Sequence, residues 1–383
     1  MKHRIVTILL LGLALSSYGQ KSRVLAVMQM IDAEKYDEAK EDIEQALQNE
    51  KTSNWPRTYF AKGLLCQTAY ESGIKKNEKK KINLYPDQLF LAYDSYEKAL
   101  ELDVRERLKT TIGQKYYLLA NDFKNMGEEL YKKGEYEASL RAFEHALMVS
   151  NSELISARTD TSLVYNTAMA AYQSKNWAKA IQYLTELQQV AHSTDGCMLL
   201  AKSCFESGDT LSGEEVLREG LKTYDYEESV VMFLVNRLDD SGRPVQSLAI
   251  LDSAIKARPD NFRFYWARGL VYQKMGRNNE AITSFLKAVE HSPGSPELYY
   301  HLGLCYYNMG IDLRESALQI PEKEEYREAR EEYLDKFREA VKWLEKSYEL
   351  DPHNEETVST LNQLNYQLHL KPEQESSQDL NDR

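Results

Sequence analysis

Residues 262–295 read FRFYWARGLVYQKMGRNNEAITSFLKAVEHSPGS, and this stretch decides the architecture. Tyr265, Gly269 and Tyr272 are spaced four and three apart, as are Ala281, Phe285 and Ala288, which is the apolar stripe of a helix. Gly276 lies between the two stripes and suits a helix C-terminus, and Pro293 stops the second helix. Gly269, Ala281 and Ala288 are small where two helix axes must approach closely. The segment is an antiparallel helix pair. One pair cannot bury both of its apolar faces, so it must stack on others like it.

A shift of 34 residues brings the pattern back. The copy at 228–261 carries Gly242, Leu251, Ala254 and Pro259. The copy at 194–227 carries Ala201, Cys204, Gly208 and Leu217, with Gly213 and Gly220 in the small-residue slots. The copy starting at 296 has Tyr299, Gly303 and Tyr306, and its second half comes late, as Ala340, Leu344, Ser347 and Pro352. Further copies begin near 161 (Ala168, Trp177, Ala180, Leu184, Leu187), 120 (Gly127, Gly134, Tyr136, Phe143, Ala146), 56 (Tyr59, Gly63, Cys66, Ala92, Tyr96, Ala99) and 20 (Tyr36, Ala39, Ile43, Ala46). On these residues the chain resembles the tetratricopeptide repeat (TPR) family. The resemblance implies an all-α, right-handed superhelical solenoid of about eight helix pairs with a concave groove. The array spans 20–352. A helix at 353–370, carrying Val358, Leu361, Leu364 and Leu368, is expected to cap the last open face, and 371–383 is read as a disordered tail.

Composition agrees with that class. Nine Pro and 17 Gly in 383 residues are too few for a turn-rich sandwich or barrel. A net charge of −12 disfavours nucleic acid, whose phosphates need a basic footprint. Lys2, His3 and Arg4 precede the apolar run from Ile5 to Leu15, and Ser17 and Gly19 are small residues at the −3 and −1 positions of a cleavage site. Residues 1–19 therefore read as a signal peptide, leaving Gln20 first in an exported chain of the periplasm, cell surface or exterior. The run covers only roughly 16 Å, too little to span a bilayer, so no membrane span is expected after cleavage. Cys197 and Cys204 fall about 10 Å apart along one helix, beyond disulfide reach. With Cys66 and Cys305 they read as small core residues.

Two copies depart from the repeat length through inserts at about 70–88 and 308–335. The first holds Lys75, Lys76, Lys79, Lys80 and Lys81. The second continues from Pro321 into one long helix with Tyr326, Ala329, Tyr333, Phe337, Val341, Leu344 and Tyr348 on a single stripe. Both fall in the turn within a helix pair, so both are expected on one rim. They read either as docking elements, the basic one for an acidic partner or anionic surface, or as a solvated loop and a longer shielding helix.

No phosphate loop, nucleophile elbow or metal-binding His pair occurs. Ser253 and Lys256 share the spacing of an acylating enzyme but stand alone inside a second helix. No catalytic residue, metal or cofactor is expected. In the family the groove is lined by positions 2, 5, 9 and 12 of each first helix, with position 6 beside them. Carried over, this selects Tyr131, Tyr165, Asn166, Tyr172, Met198, Phe205, Met232, Phe233, Asn236, Trp266, Tyr300, His301 and Tyr307, with Phe60, Met169 and Leu270 in the same rows. Aromatic and Met side chains are the types that anchor a peptide or helix. Lys124 and Asn166 match two slots of the family's carboxylate clamp. Glu128 sits where Asn is needed, and Asp195 and Leu199 occupy the third-repeat slots, so that mode is not expected. The expected function is a non-catalytic interaction scaffold of the cell envelope, holding an envelope or secretion component. The alternative is a periplasmic holdase or assembly factor for unfolded clients. An enzyme would need carboxylates in the groove, where only Asp239 and Asp240 are adjacent.

Overall fold

A computed structural model describes residues 21–155 and 160–369. The signal-peptide reading of 1–19 and the tail reading of 371–383 lie outside them. The described residues form helices and turns, with no strand among them. The chain divides into two compact units, Met1–Gly208 and Asp209–Arg383.

Unit 1 begins with helix α1 at 21–32. It continues through α2 (Tyr36–Gln48), α3 (Pro56–Lys76), the one-turn α4 (Lys79–Ile82), α5 (Gln88–Leu102), α6 (Lys109–Lys132), α7 (Tyr136–Ser150), α8 (Thr161–Gln173), α9 (Trp177–Val190) and α10 (Thr194–Glu206). Unit 2 holds α11 (Thr210–Thr223), α12 (Glu228–Asp240), α13 (Pro244–Ala257), α14 (Phe262–Lys274), α15 (Asn278–His291), α16 (Pro296–Ala317), α17 (Lys323–Leu350) and α18 (Glu355–His369).

Six of the short turns between consecutive helices share a physical basis. Glu34, Gly134, Lys175, Gly208, Gly242 and Gly276 all have φ between +56° and +89°. In five of these turns the next amide reaches back to a carbonyl five residues upstream: Lys35 to Met30, Glu135 to Leu130, Asn176 to Ala171, Arg243 to Leu238 and Arg277 to Tyr272. That bond satisfies a carbonyl orphaned by the helix end and turns the chain back on itself.

Within each pair the small residue is the seat of a large one. A Cβ at Gly269 would lie 2.5 Å from the Phe285 ring, and one at Gly127 2.6 Å from Phe143. Gly63 is likewise closed by Tyr96 at 2.7 Å, and Gly303 by Leu344 at 2.5 Å. Ala281, Ala288, Ala254, Ala180 and Ala146 are fully buried, as close axis approach requires. The inserts lengthen α3, α16 and α17 to 21, 22 and 28 residues, and α6, outside both inserts, has 24, against 13 or 14 for most others. Helix α18 closes unit 2 by burying Leu364 and laying Leu361 and Leu368 on the cluster around Tyr333, Phe337 and Leu344.

All four cysteines are buried and none is joined in a disulfide, and burial pushes the Cys66 and Cys305 thiols up to about 12. They are core residues.

Candidate functional site

In unit 1, α6, α7 and α8 frame a cleft of ≈ 290 Å³ lined by Tyr131, Tyr165, Asn166 and Met169, with Phe143 at its floor and Glu128 and Lys132 at its edge. The apolar stripes of α6 and α7 pull the helices together around Gly127 and Phe143. Tyr131, on the last turn of α6, is left half-buried, its ring 5.2 Å from Tyr136 in an edge-on contact. Burial raises the Tyr131 and Tyr165 phenols above their ordinary value, with Asp195 adding to Tyr165. Both hydroxyls stay protonated and able to donate at the rim of an apolar slot. Tyr172 packs edge-on against Trp177 at 5.2 Å, and Met198 and Phe205 lie half-buried on α10. Phe60 departs from the expected row. It is 4% exposed, 6.0 Å from Tyr96, and belongs to the core of its own pair.

The clamp slots behave as their chemistry dictates. Lys124 donates to Asp160 at 3.2 Å, and Asp160 also caps α8 by accepting from Ser162 and Leu163 amides. The lysine is committed, and Glu128 opposes an incoming carboxylate.

In unit 2 the equivalent residues form an aromatic cluster. His301 stacks on Phe285 with ring centres 5.4 Å apart, meets Trp266 at 6.4 Å and pairs its Nδ1 with Gln273 Oε1 at 3.2 Å. Burial lowers its pKa, opposed by the charges of Glu356 and Glu297. Tyr300 is half-buried beside Glu356 and Thr360 of α18, its phenol raised mainly by burial. Trp266 Nε1 is buried with no hydrogen-bond partner among the described residues. Met232 and Phe233 are half-buried and Asn236 exposed on α12, while Tyr307 leans on Phe337 at 5.8 Å. Asp239, half of the carboxylate pair weighed for catalysis, is held by Lys274 at 2.5 Å. Among the described residues no group of three His, Cys, Asp or Glu could hold a metal, and no helix is long and apolar enough to cross a membrane.

The lysine insert pairs with acids of the preceding helix pair. Lys76 and Lys81 reach Glu34 at 2.6 and 2.8 Å, Lys80 reaches Asp37 at 2.6 Å, and the Glu34 carboxyl is pushed down to about 2 by the Lys76 and then the Lys81 hydrogen bond. Lys75 and Lys79 are exposed.

A buried polar cluster is made of residues that the apolar and small-residue pattern does not select. Gln67 Nε2 points at Glu71 (3.0 Å), the Lys115 carbonyl (3.3 Å) and Asp122 (3.4 Å), while its Oε1 accepts from Tyr96. Burial first, then Glu71, pushes the Asp122 carboxyl up to about 8.

Residues 124–194 match the model described as tetratricopeptide repeat, and 274–310 match one described as TPR repeat. These segments carry tetratricopeptide repeats. The first spans α8 with the Tyr131–Tyr165 cleft, and the second spans the turn after α14, all of α15 and the start of α16. TPR folds are generally non-catalytic mediators of protein–protein contact, and the all-helical stack of pairs here is that fold. An uncharacterized protein, y4yS, of Sinorhizobium fredii (strain NBRC 101917 / NGR234) is 29% identical over 91 residues, which is 24% of this chain and 50% of the relative, so the chain spans half of that protein's length. Among solved structures, a TPR repeats protein of Bacteroides fragilis NCTC 9343 is 17% identical, with 65% of this chain and 98% of that one covered, at a TM-score of 0.35. The C-terminal part of a TPR repeat-containing protein of Cytophaga hutchinsonii is 12% identical, covering 62% and 98%, at 0.39. MamA of Desulfovibrio magneticus RS-1 is 18% identical, covering 52% and 98%, at 0.36.

Proposed function

We propose that this TPR chain is a non-catalytic interaction scaffold of the cell envelope, which holds a segment of an envelope or secretion component on the first-helix faces of its repeats. The observation that carries the reading is the Tyr131–Tyr165–Asn166–Met169 cleft, an apolar slot rimmed by neutral phenols and built from the positions the repeat leaves uncovered. The exported location rests on the pattern in residues 1–19.

Crosslinking and capture from an envelope fraction tests it. Tyr131→Ala with Tyr165→Ala removes two anchors, and recovery of the partner is expected to fall about tenfold or more. Stoichiometric capture of one or two proteins supports a scaffold. A broad set of unfolded clients supports the holdase reading. Capture undiminished by the double substitution, or absence of the chain from the envelope fraction, overturns the proposal.

A further inference from the structure

Unit 1 carries a basic patch that no repeat rule selects. The connection from α2 to α3 and the connection from α5 to α6 meet at a cleft of ≈ 270 Å³. Trp55 and Pro56 supply an apolar wall, and Val104 stands 92% exposed at the rim. Arg57, Arg105 and Arg107 line the same cleft and are all exposed. Among the described residues none of the three has an ion-pair or hydrogen-bond partner. The one carboxylate of the lining, Asp103, is engaged in accepting the Leu108 amide at 2.6 Å. Helices α3 and α6 both start beside the cleft with no acid in the first turn, so their N-terminal ends add to the same sign of potential.

Three guanidinium groups around a Trp wall make a local basic patch on a chain of net charge −12. We propose that this cleft binds a short acidic segment of a partner protein, its carboxylates held by the arginine forks and an adjacent apolar side chain laid against Trp55 and Val104. Guanidinium forks match carboxylates in a bidentate geometry that a lysine cannot offer. A small cleft with an apolar wall suits side chains that alternate charge with hydrocarbon. An extended polyanion or an anionic membrane would be opposed by the chain's net charge of −12. The site uses residues separate from the Tyr131 cleft and stands or falls independently of it.

The probe is a short fluorescent peptide alternating Glu and Leu, titrated against the full chain by anisotropy. Peptides of Ser and Leu and of Lys and Leu, equal in length, are compared with it, as are phosphatidylserine vesicles. The Glu/Leu peptide is expected to bind about tenfold tighter than the Ser/Leu peptide, with affinity falling as salt rises. Arg57→Glu, Arg105→Glu and Arg107→Glu together should erase that preference, and Arg105→Gln alone should weaken it. Lys75→Glu with Lys79→Glu should leave it intact. All these positions are exposed, and an unchanged helical melt checks the fold of each variant. Equal affinity for the Glu/Leu and Ser/Leu peptides, full binding by the charge-reversed variant, or capture by vesicles in preference to the peptide would overturn the proposal.

Discussion

Two places in the molecule make the same contact and finish it differently. In unit 1 the Phe143 ring closes over Gly127 and its other side looks into the cleft beside Asn166 and Tyr131. In unit 2 Phe285 closes over Gly269, and its other side is covered by His301, which Gln273 holds in place. Asn166 and His301 occupy the same repeat position, as do Tyr131 and Gln273. One ring therefore decides whether the repeat presents a hollow or fills it. The repeat specifies the seat and the ring upon it. The next helix decides whether a ligand has room.

The largest effect expected from this contrast is steric. Gly269→Ala forces its Cβ against a ring that has no hollow to retreat into, and should cost about 2–3 kcal/mol, whereas Gly127→Ala, next to the open cleft, should cost about 1 kcal/mol. Denaturant melts of each variant measure both, and equal costs would break the contrast. The next effects are opposite pH slopes. His301 has a lowered pKa, so its contribution is present above pH 6.5 and is lost as pH falls below it. Asp122 has a raised pKa, so its contribution is present near pH 4 and is lost as pH rises to about 8. Asp122→Asn should gain on the order of 1–2 kcal/mol over the parent above pH 8 and little at pH 5, and His301→Gln should flatten the acid side by about 1 kcal/mol. Melting curves taken across pH read both, and parallel slopes would refute the assignment. The smallest effect on stability belongs to Asn166→His. It should change the unfolding free energy by under about 1 kcal/mol while closing the unit 1 cleft, so that partner capture falls with the fold intact.

The contrast also marks what is legible in a sequence. The helix pairs, the glycine seats and the closing helix α18 can all be read, because each follows from spacing within one stretch of chain. Tyr131 and Tyr165 are selected by the positions carried over from the family resemblance, and spacing alone does not single them out. Phe60 shows its limit, since it holds the same repeat position yet turns to Tyr96 and the core. The lysine insert shows another: Lys76, Lys80 and Lys81 read as free charge, but their partners Glu34 and Asp37 lie some forty residues upstream. In the Gln67–Glu71–Asp122 cluster Gln67 and Asp122 lie inside their repeats and only Glu71 lies beyond, but the pattern fixes apolar and small residues and carries no information on polar partners. The difference between Asn166 and His301 depends on a ring in the preceding pair, which spacing cannot supply.

The long arm of α16 and α17 contains its own rule for length. Gly303 receives Leu344, and one step further out Gly310 receives Phe337 at 2.5 Å. The two glycines are seven residues apart, and so are the two side chains that fill them. Seven residues are two helical turns, so the contact recurs on the same edge of each helix. An arm built this way can be trimmed or extended by a heptad on both strands at once without opening its seam. Evolution or an engineer can thus change how far the hairpin reaches while leaving its zipper shut.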